Sequence, residues 1–209
     1  MKKLLGFSIF LVFVLIASLT AEAKVTLPAI FSDNMVLQQN TQVNVWGKAA
    51  PGEKVTVKAS WLDKAVTAKA AANGKWTVKL KTPKATTNQS VTVSGENEIT
   101  INNVLIGEVW LCTGQSNMEF PVSRHPDVKW NTGMLNEAEE LKDADYPEIR
   151  LFHVKHQLAH EGELDDCEGE WLVCNPKNLY DFSAVGFVFG RKLYKELKMP
   201  VGLIQSTWG

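Results

Sequence analysis

The residues with the clearest chemical potential are Gly114-Gln115-Ser116-Asn117-Met118. They follow an apolar run, Leu105 to Thr113, that is broken only by Gly107 and Glu108. Such a run reads as a strand buried on both faces. A serine just past the C-terminal end of that strand lies on the edge where open α/β sheets bind ligands. Gly114, two residues earlier, lets the backbone turn tightly, so that the Ser116 hydroxyl stands exposed as a nucleophile. The Ser116 N–H is then placed to meet a developing oxyanion. On residue chemistry alone, Gly-x-Ser after a strand also reads as a plain polar turn, and both readings stay open.

The histidines are His125, His153, His156 and His160. None has an aspartate three residues before it. His156 and His160 would share a face if their stretch were helical, but it begins as a strand and carries no His-Glu-x-x-His motif. Polar surface or strand histidines are therefore expected, rather than a metal cluster. The cysteines are Cys112, Cys167 and Cys174. Cys112 sits in the apolar run and reads as a buried thiol. Cys167 and Cys174 are the close pair, which an oxidising compartment would permit to bridge.

Two segments of different grammar must position these residues. From 24 to 104 the chain reads as short strands between turns. Val43-Asn44-Val45-Trp46-Gly47, Val55-Thr56-Val57-Lys58-Ala59 and Trp76 to Lys81 alternate apolar and polar residues. Val91-Thr92-Val93 and Ile99-Thr100-Ile101 are further candidates, and Asn73-Gly74 has the composition of a hairpin turn. This pattern predicts an all-β, sandwich-like domain. From 105 to 209 strand and helix alternate. Ile149 to Val154 is a strand candidate. Ser183 caps a helix marked by Val185, Val188, Leu193, Tyr194 and Leu197, and Pro200 ends it before Val201-Gly202-Leu203-Ile204. Strand, helix, strand implies parallel pairing.

Ahead of both segments, residues 1–23 read as a signal peptide. Lys2 and Lys3 precede the apolar run Leu4 to Leu19, and Ala21-Glu22-Ala23 supplies the cleavage site. The run is shorter than the roughly 20 residues a spanning helix needs, so no stable membrane anchor is expected after cleavage. Export to a periplasm or the exterior follows. A formal net charge of −1 without a Lys/Arg cluster argues against nucleic acid as a partner.

The serine block, with Gly107-Glu108-Val109-Trp110-Leu111-Cys112 before it and Glu119 after, resembles the nucleophile block of sialate O-acetylesterases, carbohydrate esterases of the SGNH-hydrolase group. Leu27 to Gln38, Val45-Trp46-Gly47, Pro51 to Val55, Phe182 to Gly186, Pro200 to Ile204 and Trp208-Gly209 extend the resemblance over nearly all of 24–209. It implies that 105–209 is the N-terminal part of an SGNH, flavodoxin-like α/β hydrolase domain. It also implies that Ser116 attacks the acetyl carbonyl of an O-acetylated sugar, sialic acid or an acetylated polysaccharide, through an acyl-enzyme. Ser116 and Gly209 would donate to the oxyanion, with a later Asn. The general base would come from an Asp-x-x-His motif, which these 209 residues lack, and the resemblance implies no metal and no organic cofactor. The chain is therefore expected to be a truncated, inactive portion. The competing reading is an exported, non-catalytic glycan-binding module using Trp46, Trp61 or Trp76, although the strand positions of Trp46 and Trp76 favour the core. A generic lipase or thioesterase is weaker, since no lipid-facing apolar stretch remains beyond residue 23.

Overall fold

A computed structural model describes residues 24–124, 133–160 and 162–209. The signal-peptide reading and His125 lie outside these residues. In chain order the elements are β1 (Val36–Gln38), β2 (Gln42–Lys48), β3 (Lys54–Ala59), β4 (Val66–Lys69), β5 (Lys75–Lys81), β6 (Thr86–Ser94) and β7 (Glu98–Gly114). There follow α1 (Ser116–Glu119), α2 (Glu137–Lys142), β8 (Tyr146–His153), β9 (Trp171–Cys174), α3 (Pro176–Leu179), α4 (Ala184–Leu197) and β10 (Val201–Thr207).

The expected strands form, but not as a sandwich closed on itself. They belong to one mixed sheet with the path β4-β3-β6-β7-β10-β8-β9, and β1 joins it alongside β7. The strand expected at Ile99–Ile101 and the one expected from Leu105 are a single strand, β7, that crosses position 104/105 unbroken. Its first half pairs antiparallel with β6 and its second half parallel with β10. Between them, Leu105 to Gly107 pair parallel with β1. Asn102-Asn103 does not turn the chain: Asn103 takes a positive φ of 53° inside the strand, where the β6 pairing shifts register between Val104 and Ile101, and the strand runs on.

A separate two-stranded sheet, β2 with β5, completes the first half. Its inward residues Val45, Trp76, Val78 and Leu80 share one apolar core with Val55, Val57, Ala59, Val91, Val93 and Ile101. Each fully buried Val, Leu or Ile among them contributes roughly 1.5–3 kcal/mol. The Asn73-Gly74 turn does not make a hairpin. It passes the chain from β4 in the large sheet to β5 in the small one, and only Gly74 takes a positive φ, +77°.

In the second half β10 lies between β7 and β8, parallel to both, as strand-helix-strand order requires. Ser183 caps α4, its Oγ accepting the Gly186 N–H at 3.0 Å. The buried stripe of α4 is Ala184, Gly186, Phe187 and Gly190, whereas Val185, Val188 and Leu197 are exposed. Two glycines rotate the stripe, because they let the helix axis approach the sheet. A Cβ on Gly190 would come 2.5 Å from Leu203 Cδ1, and one on Gly186 would come 3.2 Å from Cys112 Sγ. The second half of β7 is not buried on both faces: Trp110 and Leu111 are 43% and 62% exposed. Among the described residues, Glu108 to Gly114 pair on the β10 side alone. Trp110 meets Phe189 of α4 edge-on at 5.0 Å, which covers part of it.

The two halves of β7 meet at Gly107. A Cβ there would overlap the Pro200 carbonyl oxygen and come 2.7 Å from the carbonyl carbon. That carbonyl accepts the Glu108 N–H at 2.9 Å, the first bond of the β7–β10 pairing. Gly107→Ala is therefore expected to lower stability by about 1–3 kcal/mol as the strands are forced apart. Urea unfolding measures this, and an unchanged midpoint contradicts it.

Candidate active site

The β7–β10 register runs from Val201 opposite Glu108 to Thr207 opposite Gly114. Carried two residues further, the same offset puts Gly209 level with Ser116. The structure does this: a Cβ on Gly209 would fall onto the Ser116 N–H, 2.8 Å from its Cα and Oγ. Only a residue without a side chain fits there. Ser116 itself is exposed, at the start of α1. The turn before it is tight as the sequence requires, since a Cβ on Gly114 would lie 3.1 Å from Met118 Cβ.

α1 is a single turn and needs support from outside. The Met118 and Glu119 N–H groups donate to Gln115 O at 2.8 and 3.0 Å, and Phe120 N–H donates to Ser116 O at 2.9 Å. The chain then pairs with the start of α4: Ala184 N–H donates to Phe120 O at 2.8 Å, and Val122 N–H to Phe182 O at 2.9 Å. Gln205, fully buried in β10, ties this corner to the sheet. Its Oε1 accepts the Ser183 N–H at 2.7 Å, and its Nε2 donates to Thr207 Oγ1 at 3.0 Å. An unpaired buried amide would be costly, so this satisfied one specifies the corner.

Glu119 closes the site. Its Oε2 accepts the Gly209 N–H at 2.7 Å, and its Oε1 lies 3.0 Å from His156 Nε2. The same nitrogen is 2.8 Å from Thr207 O. Both neighbours are acceptors, so Nε2 carries the proton and donates. The His156 ring stacks on Trp208, centroids 4.5 Å apart and planes within 4°. A cleft of about 330 Å³ opens beside them, lined by Gly114, Lys155, His156, Ser206, Thr207 and Trp208 among others. The Gly209 N–H is thus committed to Glu119 in this structure. Among the described residues no acceptor takes the Ser116 N–H.

The remaining sequence candidates disperse. Among the described residues no side chain hydrogen-bonds the Ser116 hydroxyl. The 154–160 stretch is irregular, so His156 and His160 do not share a helix face. Cys112, Cys167 and Cys174 are all free thiols. Burial pushes the Cys174 thiol up to about 12, and Cys112 is buried as its apolar setting implies. Trp76 is core at 3% exposure, but Trp46 is 41% exposed and points outward from β2. The sequence reading gave no role to Glu119 or His156. An acidic residue three positions after the serine was the available signal, since it lands in the first helical turn.

Burial also pushes His153 below the usual imidazole range, and His156 adds to this against the opposing pull of Asp181 and Glu119. The unfolded chain then binds the proton more tightly than the fold does. The stability from a neutral His153 is fully present above the unfolded value of 6.5 and is lost as pH falls below it. Chemical unfolding at stepped pH is expected to show the loss, and His153→Gln to remove that component. Identical pH profiles for both proteins contradict the assignment.

Ser116 thus stands exposed where the parallel strands β7 and β10 end, against Gly209, whose N–H Glu119 holds. The comparisons with known proteins narrow the class. Over 87% of its length the chain is 32% identical to a sialate O-acetylesterase of Mus musculus. Over 85% it is 31% identical to the one of Homo sapiens. A carbohydrate acetylesterase from Xanthomonas citri, known from its crystal structure, matches 89% of this chain at 32% identity with a TM-score of 0.78. No protein-family model matches. The chain is therefore a homologue of the sialate O-acetylesterases. It spans 35% and 36% of the length of the mouse and human relatives, and 40% of the Xanthomonas chain.

Proposed function

We propose that this chain supplies the nucleophile of a serine carbohydrate O-acetylesterase. The observation that carries the reading is the placement of Gly209 against Ser116 by the β7–β10 register, fixed by the Glu119 hydrogen bond. Ser116 Oγ attacks the acetyl carbonyl of an O-acetylated sugar and gives its proton to a base. The sugar hydroxyl leaves with a proton, and water hydrolyses the acetyl-serine to acetate. The Ser116 N–H holds the tetrahedral oxyanion. Gly209 joins it when its N–H turns from Glu119, so Glu119 positions the second donor rather than touching substrate.

The base is the part these residues do not bring to Ser116. The relatives' names point to O-acetylated sialic acid and acetylated carbohydrate, and the first 23 residues to an exported protein. The reading assigns the base to an Asp-x-x-His segment such as the resemblance implies. Losing the base of a serine hydrolase costs as much as losing the whole triad, roughly 10⁶ in turnover. The 209 residues alone are accordingly expected not to turn over.

Acetate release from O-acetylated sialic acid and from acetylated xylan by the protein isolated from its source tests the reading. Ser116→Ala is expected to abolish release, by about 10³-fold or more. Undiminished release sinks the assignment. Glu119→Ala is expected to lower kcat by about 10–10³-fold, the scale of one oxyanion donor or less, with KM nearly unchanged. An effect on KM alone contradicts the positioning role.

A further inference from the structure

The outward face of the β2–β5 sheet carries a second feature, apart from Ser116. Its cross-strand pairs are Lys48 with Lys75, Trp46 with Thr77, Asn44 with Lys79 and Gln42 with Lys81. All eight side chains are exposed, while the alternate positions fill the core. The strip thus holds four cations, one tryptophan and no acid of its own. At the Lys48–Lys75 end lies a cleft of about 320 Å³, lined by Pro28, Trp46, Lys48, Lys75, Trp76 and Asp165 among others. That is the lower end of the size range of small-ligand sites.

One carboxylate already occupies this end. Asp165 Oδ1 lies 2.5 Å from Lys75 Nζ and Oδ2 lies 3.1 Å from Lys48 Nζ. The two ammonium groups therefore stand at the spacing that grips a single carboxylate from both sides. Asp165 comes from an irregular segment that Asp166 pins down, by accepting the N–H groups of Ala29 at 3.1 Å and Cys167 at 2.8 Å. Both ion pairs are about half exposed, so they hold weakly and water or a stronger ligand displaces them. Trp46 is steadied by a T-shaped contact with Phe31, centroids 4.6 Å apart, and is still 41% exposed. An exposed indole beside a two-cation clamp matches a sugar ring that bears a carboxylate: the ring's C–H face stacks on the aromatic, and the carboxylate meets the lysines.

We infer that this cleft is a glycan-binding site for a carboxylated sugar, in which the ligand carboxylate replaces Asp165 between Lys48 and Lys75 and the ring packs on Trp46. The chain's own carboxylate is the competitor that keeps affinity modest. Uronic and sialic acids share this chemistry, and the strip of Lys79 and Lys81 beyond the cleft extends the charge along a polymer. The site does not depend on Ser116 acting as a nucleophile.

The test is calorimetric titration of the protein with trigalacturonate, its methyl ester and sialyllactose. Binding of trigalacturonate or of sialyllactose supports the site, and the one that binds identifies the source of the carboxylate. Asp165→Asn is expected to tighten binding about three- to tenfold, the worth of two exposed ion pairs removed as competitors. Lys48→Gln with Lys75→Gln is expected to abolish it, and Trp46→Ala to weaken it, while Trp46→Phe retains most of it. Unfolding midpoints show that each variant is folded. Equal binding of the methyl ester, no binding of either acid, or an Asp165→Asn affinity equal to or below the parent's overturns the proposal.

Discussion

The close approach of Pro200 to Gly107 is the constraint on which the rest of the arrangement depends. β7 is 17 residues long, roughly 55 Å of extended chain, and it must serve one antiparallel partner, β6, in its first half and two parallel partners, β1 and then β10, further along. Where the service changes, the backbone of the segment leading into β10 presses against the strand, and any side chain at 107 would hold it off. Once Pro200 has docked, the register of β10 follows residue by residue, and with it the meeting of Gly209 and Ser116 nine residues further along each strand.

Around that meeting the structure spends polar groups sparingly and satisfies them. Gln205 joins the α4 cap to β10. Glu119 joins α1 to the end of β10 and to His156. Trp208 lies flat on the same imidazole. A one-turn helix carrying an exposed hydroxyl has little stability of its own, so these contacts from three elements hold the serine where it stands. The weaker, exposed contacts lie elsewhere, at the Lys48–Asp165–Lys75 end of the small sheet. A site that must exchange its internal carboxylate for a ligand's suits such contacts.

Much of this was legible in the sequence because it rests on local rules. Strand alternation placed Val45, Val57, Val78 and Leu80 in the core, Ser183 announced the α4 cap, and the residues after Gly114 marked the serine. What escaped depends on neighbours distant in sequence. Whether Trp46 faces in or out is set by the phase of β2 against the larger sheet, and Val45, one residue away, takes the core position. The α4 stripe is turned by Gly186 and Gly190, whose value lies in the Cys112 and Leu203 side chains they admit. The length of β7 could be read only as two short apolar runs, because periodicity does not say that two neighbouring strands are one. Glu119 gains its role from Gly209, 90 positions on, and Asp165 from lysines on the other half of the chain.

The central claim is that Ser116 is the reactive nucleophile at the end of β7. Covalent labelling tests it most directly: the protein isolated from its source is treated with a fluorophosphonate, digested, and the modified residue located by mass spectrometry. The account predicts a phosphonyl group on Ser116 and loss of the label when O-acetylated sugar is present in excess. A label on another serine, with Ser116 untouched, would contradict it.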